Sequence, residues 1–322
     1  GAEPRNVAVT ENATASFVQA LSSIPFRRGD VIVTTRNDYA SNQIQYLALA
    51  ERLELEVVRA PDAPEGGVDV LGLAELVHRR RPRLVAVTHV PTNSGLVQDV
   101  AEVARVCRSE GVWCLVDACQ SVGQLPVDVT DIPCDFLSAT ARKFLRGPRG
   151  VGFLYVSDRV LEAGLLPLFP DLRGADWIAE DLYQPAPDAR RFENWEFPWA
   201  LVLGLGAAAR YALDVGIEAG GARARALAAT LRSELGRLPG VRVLDRGPEL
   251  CAIVTIHVEG RSPVALVGAL RERKINTTAM DLGSGLLDFE DKGVAGALRL
   301  SPHYYNTEAE IQATVEALSE ML

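Results

Sequence analysis

In a chain that carries 30 arginines and only three lysines, each lysine raises the question of what it does that arginine cannot. A lysine amine can lose its proton when desolvated and form a Schiff base with a carbonyl compound, which a guanidinium cannot do. Lys274 (RERKIN) and Lys292 (EDKG) stand in polar surroundings and read as solvated surface charges. Lys143 differs, because it follows the apolar run DFLSATA and precedes a Gly-Pro-Arg-Gly turn that leads into GVGFLYV. Other reactive residue types close similar runs. Asp117 ends VWCLVDA, and a carboxylate buried there is costly unless a cation or strong donor pairs with it. A protonated heterocyclic nitrogen is one such partner, and a structural ion pair is the alternative. Gln120, three residues on, could donate to a hydroxyl beside that ring.

Three further positions fit the same ligand. VTENAT places Asn12, Ala13 and Thr14 where a strand gives way to a helix, so free backbone N–H groups and a hydroxyl would meet a phosphate, with an ordinary N-cap as the competing reading. TTRNDYASN puts Tyr39 beyond the next strand, where its ring could stack on a flat heterocycle or simply pack. VTHVPTNSG brings His89, Thr92 and Asn93 to a turn before Gly95, which an Asn-Ser-Gly turn would also explain. A strand-end Asp, a strand-end Lys, an upstream aromatic and a helix start for phosphate are together the parts that hold pyridoxal 5'-phosphate on a lysine.

These residues need a scaffold that gathers strand ends. From residue 7 to about 156, short runs rich in Val, Ile and Leu alternate with helical patterns: VAVT, VIVTT, LEVVRA, RLVAVTHV, VWCLVDA, DFLSATA and GVGFLYV. Apolar strands separated by helices predict an α/β domain with a mostly parallel central sheet and helices on both faces, and ligands of such sheets collect at the carboxyl ends of the strands. The stretch Leu165 to Glu196 reads as irregular, and it is followed by helices over Ala200 to Val215 and Ile217 to Leu238. Alternating strands and helices over VRVLD, AIVTIHV, Pro263 to Arg273, INTTAM, ALRLS and Thr307 to Leu322 then predict a smaller C-terminal α+β domain. The expected division is a large cofactor-binding domain over 1–200, whose first part reads as missing from the chain, and a helical connection with the small domain over 201–322.

Composition narrows the ligand. With 42 acidic against 33 basic residues the formal charge is −9, which offers no attraction to nucleic acid or anionic lipid. The most apolar stretch, Phe197 to Ala209, is too short to span a bilayer and is broken by Pro198, Gly204 and Gly206. Five cysteines without a CxxC spacing, mostly in apolar runs, read as reduced core thiols in a cytoplasmic protein, and four scattered histidines predict no metal site. GLGAAA, Gly204 to Ala209, lies in a helical pattern and reads as close helix packing rather than a dinucleotide fingerprint.

In order and spacing, ENAT, Tyr39, Asn93, DACQ, ARK, RRFENWE and LRLSPHYYNT resemble the class V aminotransferase family of fold-type I pyridoxal-phosphate enzymes, which includes cysteine desulfurases, C–S lyases and isopenicillin-N-epimerase-like proteins. The resemblance covers essentially the whole chain and implies the following roles. Lys143 would bind the cofactor, Asp117 would pair with its ring nitrogen and Gln120 would contact its phenolic oxygen. Tyr39 would cover the ring. Thr140 and Arg142 would join Asn12, Ala13 and Thr14 on the phosphate. Asn93 would sit beside ring or substrate, and Arg299 would hold the substrate carboxylate, for which a forked guanidinium is suited. Glu196 stands where relatives often place a hydroxyl residue near a partner's phosphate. The resemblance also implies a homodimer with the active site at its interface.

A desulfurase-type member would carry a nucleophilic cysteine between INTTAM and ALRLS, and the stretch here, DLGSGLLDFEDKGV, has none. The expected activity is therefore β-elimination from an S-substituted cysteine through Lys143, with transamination, epimerisation or a non-catalytic homologue as alternatives.

Overall fold

In the computed structural model, which describes residues 1–322, the β-branched runs become one seven-stranded sheet. The order along the chain is β1 (Val7–Thr10), α1 (Ala13–Ser23), β2 (Val31–Thr34), α2 (Ala40–Leu53), β3 (Glu56–Arg59), α3 (Val70–Arg80), β4 (Leu84–Thr88), α4 (Val100–Glu110), β5 (Trp113–Asp117), β6 (Phe136–Thr140), β7 (Gly152–Val156) and α5 (Asp158–Glu162). In space the strands lie β1-β7-β6-β5-β4-β2-β3, and only β7 runs against its neighbours. Every residue of β2, β4 and β6 is buried, as a parallel sheet covered on both faces requires. Alternate residues serve opposite cores. Val85, Val87, Cys114, Val116 and Leu137 face α3 and α4, whereas Ile32, Leu84, Ala86, Leu115 and Phe136 face α1 and α2.

The stretch expected to be irregular holds a hairpin, β8 (Ala175–Ala179) with β9 (Leu182–Pro185), and one 3₁₀ turn over Ala189–Phe192. Its strands expose Trp177, Ile178, Leu182 and Tyr183 together, so they lack the in–out alternation that marks a half-buried strand. Buried Arg191 fastens the turn by donating to the carbonyls of Ala186, Leu161 and Leu165. Next come α6 (Trp199–Val215) and α7 (Ile217–Leu235). Close packing accounts for Gly204, which sits against Pro148, but Gly206 meets only Arg210 of its own helix.

A four-stranded antiparallel sheet, ordered β10-β11-β13-β12, follows from β10 (Val241–Val243), β11 (Val254–Val258), α8 (Pro263–Glu272), β12 (Thr278–Asp281), α9 (Leu286–Asp291) and β13 (Gly296–Leu300), before α10 (Glu308–Ser319). Lys292, read as a solvated charge, is only 7% exposed and pairs with Asp288 at 2.7 Å one helical turn before it. The polar neighbours that suggested solvent instead surround it.

One buried carboxylate joins the two sheets. Asp245 accepts from Arg232 of α7 at 2.8 Å, from the Gly95 N–H at 2.9 Å and from the Thr255 hydroxyl at 2.5 Å. Gly95 belongs to the turn after β4, so the small sheet holds the turn that lies beside the strand ends. A side chain at Gly95 would collide with the Ile253 carbonyl and the Arg232 guanidinium. Asp245→Ala strands Arg232 without its counter-charge and is expected to cost about 3–5 kcal/mol in urea unfolding. A loss below about 1 kcal/mol would show that the clamp does not hold the two sheets.

Candidate active site

The carboxyl ends of β1, β2, β4, β5 and β6 open onto a cleft of about 460 Å³. Nine of the residues expected to hold the cofactor line it: Asn12, Ala13, Thr14, Tyr39, Asp117, Gln120, Thr140, Arg142 and Lys143. Asn42, Thr88, Val90, Thr92 and Cys119 line it too, and sequence reasoning had passed over Asn42.

One end suits an anion. The Asn12 side chain caps α1 by accepting from Ala15 N at 2.9 Å, leaving the Ala13 and Thr14 N–H groups without intrahelical partners beside the Arg142 guanidinium. Both readings of VTENAT therefore apply at once: the side chain caps and the backbone faces the cleft. The helix start lies close on β7, where a Cβ at Gly152 would stand 2.8 Å from Asn12 C and 3.0 Å from Ala13 N.

The other end suits a cation. Asp117 is buried at the end of β5 and accepts from Cys119 N at 2.9 Å and from Asn42 Nδ2 at 3.0 Å, with no cation of the chain paired to it. Tyr39, at the start of α2, presents a partly exposed ring to the same cleft. Behind them Asp38 is buried among neutral donors: Tyr39 N at 2.6 Å, Thr34 Oγ1 at 2.7 Å, Tyr46 Oη and Asn42 Nδ2 at 3.1 Å, and Thr88 Oγ1. Burial pushes its carboxyl above the usual range while those donors pull it back.

Lys143 is half-buried between these ends. Burial first, and then the Arg299 and Arg142 guanidinium groups, bring its ammonium down to about 8. Arg299, partly buried on β13, donates to Thr92 O at 2.9 Å, Ser301 Oγ at 3.0 Å and Gln120 Oε1 at 3.4 Å, and it has no carboxylate partner. Gln120 spends its amide N–H on Thr92 Oγ1 at 3.0 Å, so Thr92 and Gln120 tie the guanidinium to the cleft wall.

Asn93 lies just outside the lining. Its Nδ2 donates to Asp288 of α9 at 2.8 Å, while its Oδ1 is buried without a partner. Arg36 makes a two-pronged contact with Asp291 at 2.8 and 2.7 Å, so α9 is fastened to the large sheet at two points. Gly285 allows this approach, because a Cβ there would strike the Asn93 amide. His89 faces a neighbouring depression with Gln98 and Asp99, and burial lowers its imidazole to about 4. Glu196 is exposed near the start of α6 and does not line the cleft. Of the cysteines, Cys107, Cys114, Cys134 and Cys251 are buried. Cys119 is half-buried in the cleft, where burial and the Asp117 carboxylate push its thiol up.

The family model for aminotransferase class V matches residues 1–314. The chain is 31% identical over 325 residues to a probable cysteine desulfurase of Methanothermobacter thermautotrophicus, covering 98% of this chain and 79% of that one. Its fold matches the apo cysteine desulfurase of Thermococcus onnurineus NA1 with a TM-score of 0.92 at 25% identity, covering 100% of this chain and 80% of that one. It also matches the cystine C–S lyase C-DES in complex with its product cysteine persulfide, with a TM-score of 0.87 at 25% identity over 99% and 82% of the two chains. A second structure of that lyase holds glycine covalently linked to pyridoxal phosphate.

The lowered Lys143 value has a direct reading in cofactor-free protein. Amine-selective labelling of Lys143, quantified by mass spectrometry, is expected to rise with pH through a midpoint at about 8, because the reactive free amine predominates only above its pKa. A midpoint at the ordinary lysine value of 10.5 would show that burial and the two arginines leave this amine unaffected.

Proposed function

The chain belongs to the aminotransferase class V family, whose members bind pyridoxal 5'-phosphate, and from that premise we propose that it cleaves the C–S bond of an S-substituted cysteine by β-elimination. The cleft fits the cofactor by the chemistry of its donors: an anion-binding helix start, a buried carboxylate lacking a cation, an aromatic face and a lysine with a lowered pKa. Ala13, Thr14, Thr140 and Arg142 would hold the phosphate, with Asn12 shaping the turn. Asp117 would face the ring nitrogen, Tyr39 would cover the ring, Gln120 would stand by the phenolic oxygen, and Lys143 would bind the aldehyde carbon.

When bound, pyridoxal phosphate supplies the electron sink that stabilises a carbanion at the substrate Cα. The remaining steps fall to the chain's own residues. Arg299 receives the substrate carboxylate, since its guanidinium has no acid of its own and is already held by Thr92 and Gln120. Asn93, with a buried unpartnered Oδ1 one residue from Thr92, would add a contact at that edge. Lys143, released when the substrate amine takes its place, would take the Cα proton at its Nζ. Loss of that proton would let the Cβ–S electrons leave on sulfur as a thiolate, and water would convert the three-carbon remainder to pyruvate and ammonia.

One observation carries elimination over persulfide formation on a protein thiol: the segment between β12 and β13 contains no cysteine. That segment is instead folded as α9 and fastened through Asp288 and Asp291. Cys119, the one thiol in the cleft, is raised out of the thiolate range by burial and by Asp117.

A second copy of the chain completes the proposal. The apolar helix α6 has no buried residue and exposes Trp199, Leu203, Tyr211 and Leu213, while the β8–β9 hairpin exposes Trp177, Ile178 and Tyr183. Exposed apolar surface of this extent suits an interface between protomers.

Three outcomes are expected. Protein loaded with pyridoxal phosphate shows a visible absorbance band that Lys143→Ala abolishes, and it releases pyruvate from S-substituted cysteines; amino-group exchange or racemisation without pyruvate would replace elimination by transamination or epimerisation. Arg299→Ala lowers kcat/KM about a hundredfold, mainly through KM, in steady-state assays. Sedimentation equilibrium gives twice the chain mass, and a fully active monomer would overturn the dimer.

A further inference from the structure

Between the buried carboxylates of Asp38 and Asp117 lies a single amide, that of Asn42 in the first turn of α2. Its Nδ2 stands 3.1 Å from Asp38 Oδ1 and 3.0 Å from Asp117 Oδ2, so each amide hydrogen goes to a different carboxylate. All three residues are buried. Neither carboxylate has a cation, and two buried acids bridged by one side chain each raise the cost of ionising the other. The bridging amide opposes protonation at the two oxygens it occupies, because a donor on each makes both of them acceptors.

The surroundings of Asp38 make it a rigid anchor. Thr34, Thr88, Tyr46 and the Tyr39 N–H reach it from β2, β4, α2 and the start of α2. Asp117, by contrast, is held by only two protein donors, Asn42 on Oδ2 and Cys119 N on Oδ1, and its remaining capacity faces the cleft.

We propose that Asn42 is a positioning residue that locks Asp117 to the Asp38 anchor, so that Asp117 meets the ring nitrogen of bound pyridoxal phosphate as an ionised acceptor in one fixed orientation. The inference rests on the assignment of Asp117 to that nitrogen. Without the amide, Asp117 can turn and take up a proton, and the ring nitrogen then loses its proton.

The test reads that nitrogen directly, by ¹⁵N NMR of the holoprotein loaded with ring-¹⁵N pyridoxal phosphate, in the parent, Asn42→Ala and Asp117→Asn. The parent resonance is expected in the protonated pyridinium range. Both variants are expected to move it downfield toward neutral pyridine, with the cofactor dissociation constant of Asn42→Ala raised about tenfold. Asn42→Leu, which keeps the volume and removes the donors, is expected to move the resonance likewise and carries the test if Asn42→Ala does not fold. An Asn42 variant with the parent resonance, beside a shifted Asp117→Asn, overturns the role of Asn42 alone. An unshifted Asp117→Asn overturns the Asp117 assignment and the inference with it.

Discussion

Two charges of opposite sign stand without an ion-pair partner from their own chain, Asp117 in the cleft and Arg299 against its wall at Thr92 and Gln120, and the rest of the site is arranged around them. Asp117 is buried with two neutral donors, and Arg299 is partly buried on neutral acceptors. Leaving a buried charge unpaired is unfavourable for the free protein. The same deficit favours any ligand that brings a cation to one and a carboxylate to the other. A protonated ring nitrogen and an amino-acid carboxylate meet the two demands, and Lys143 stands between them with its amine already close to deprotonation.

The scaffold serves to keep those charges apart and dry. A parallel sheet delivers Thr10, Thr34, Thr88, Asp117 and Thr140 to one edge because its strands point the same way, and helices on both faces exclude water from the strands themselves. The small sheet contributes Arg299 from β13 and, through Asp245, holds the neighbouring turn whose Thr92 carbonyl accepts from that guanidinium. The segment that could have carried a mobile thiol is instead a short helix with two anchors.

Much of this was legible in residue order. The strand-end positions of Lys143, Asp117 and Tyr39, and the small residues at the start of α1, follow from local pattern, and nine of the expected residues do share one cleft. Lys292 was misread because polar neighbours in sequence can enclose a charge as well as solvate it, and its partner Asp288 points inward with it. The hairpin β8–β9 was missed because its side chains are exposed on both faces and show no period of two. Asn42 was invisible for a different reason: nothing in ASNQIQ distinguishes a surface asparagine from one that bridges Asp38, four residues before it, to Asp117, 75 residues after it.

The chain by itself determined its class of fold and the residue types gathered at its strand ends, since β-branched runs, helix starts and three lysines against thirty arginines are local properties. Tertiary structure decided which charges stay unpaired, which asparagine stands behind Asp117, and whether the β12–β13 segment is a free loop or a fastened helix. Those outcomes depend on pairing across separations such as that between Asn93 and Asp288 or Arg36 and Asp291, and pairing energies of buried groups are set by neighbours that no local window contains.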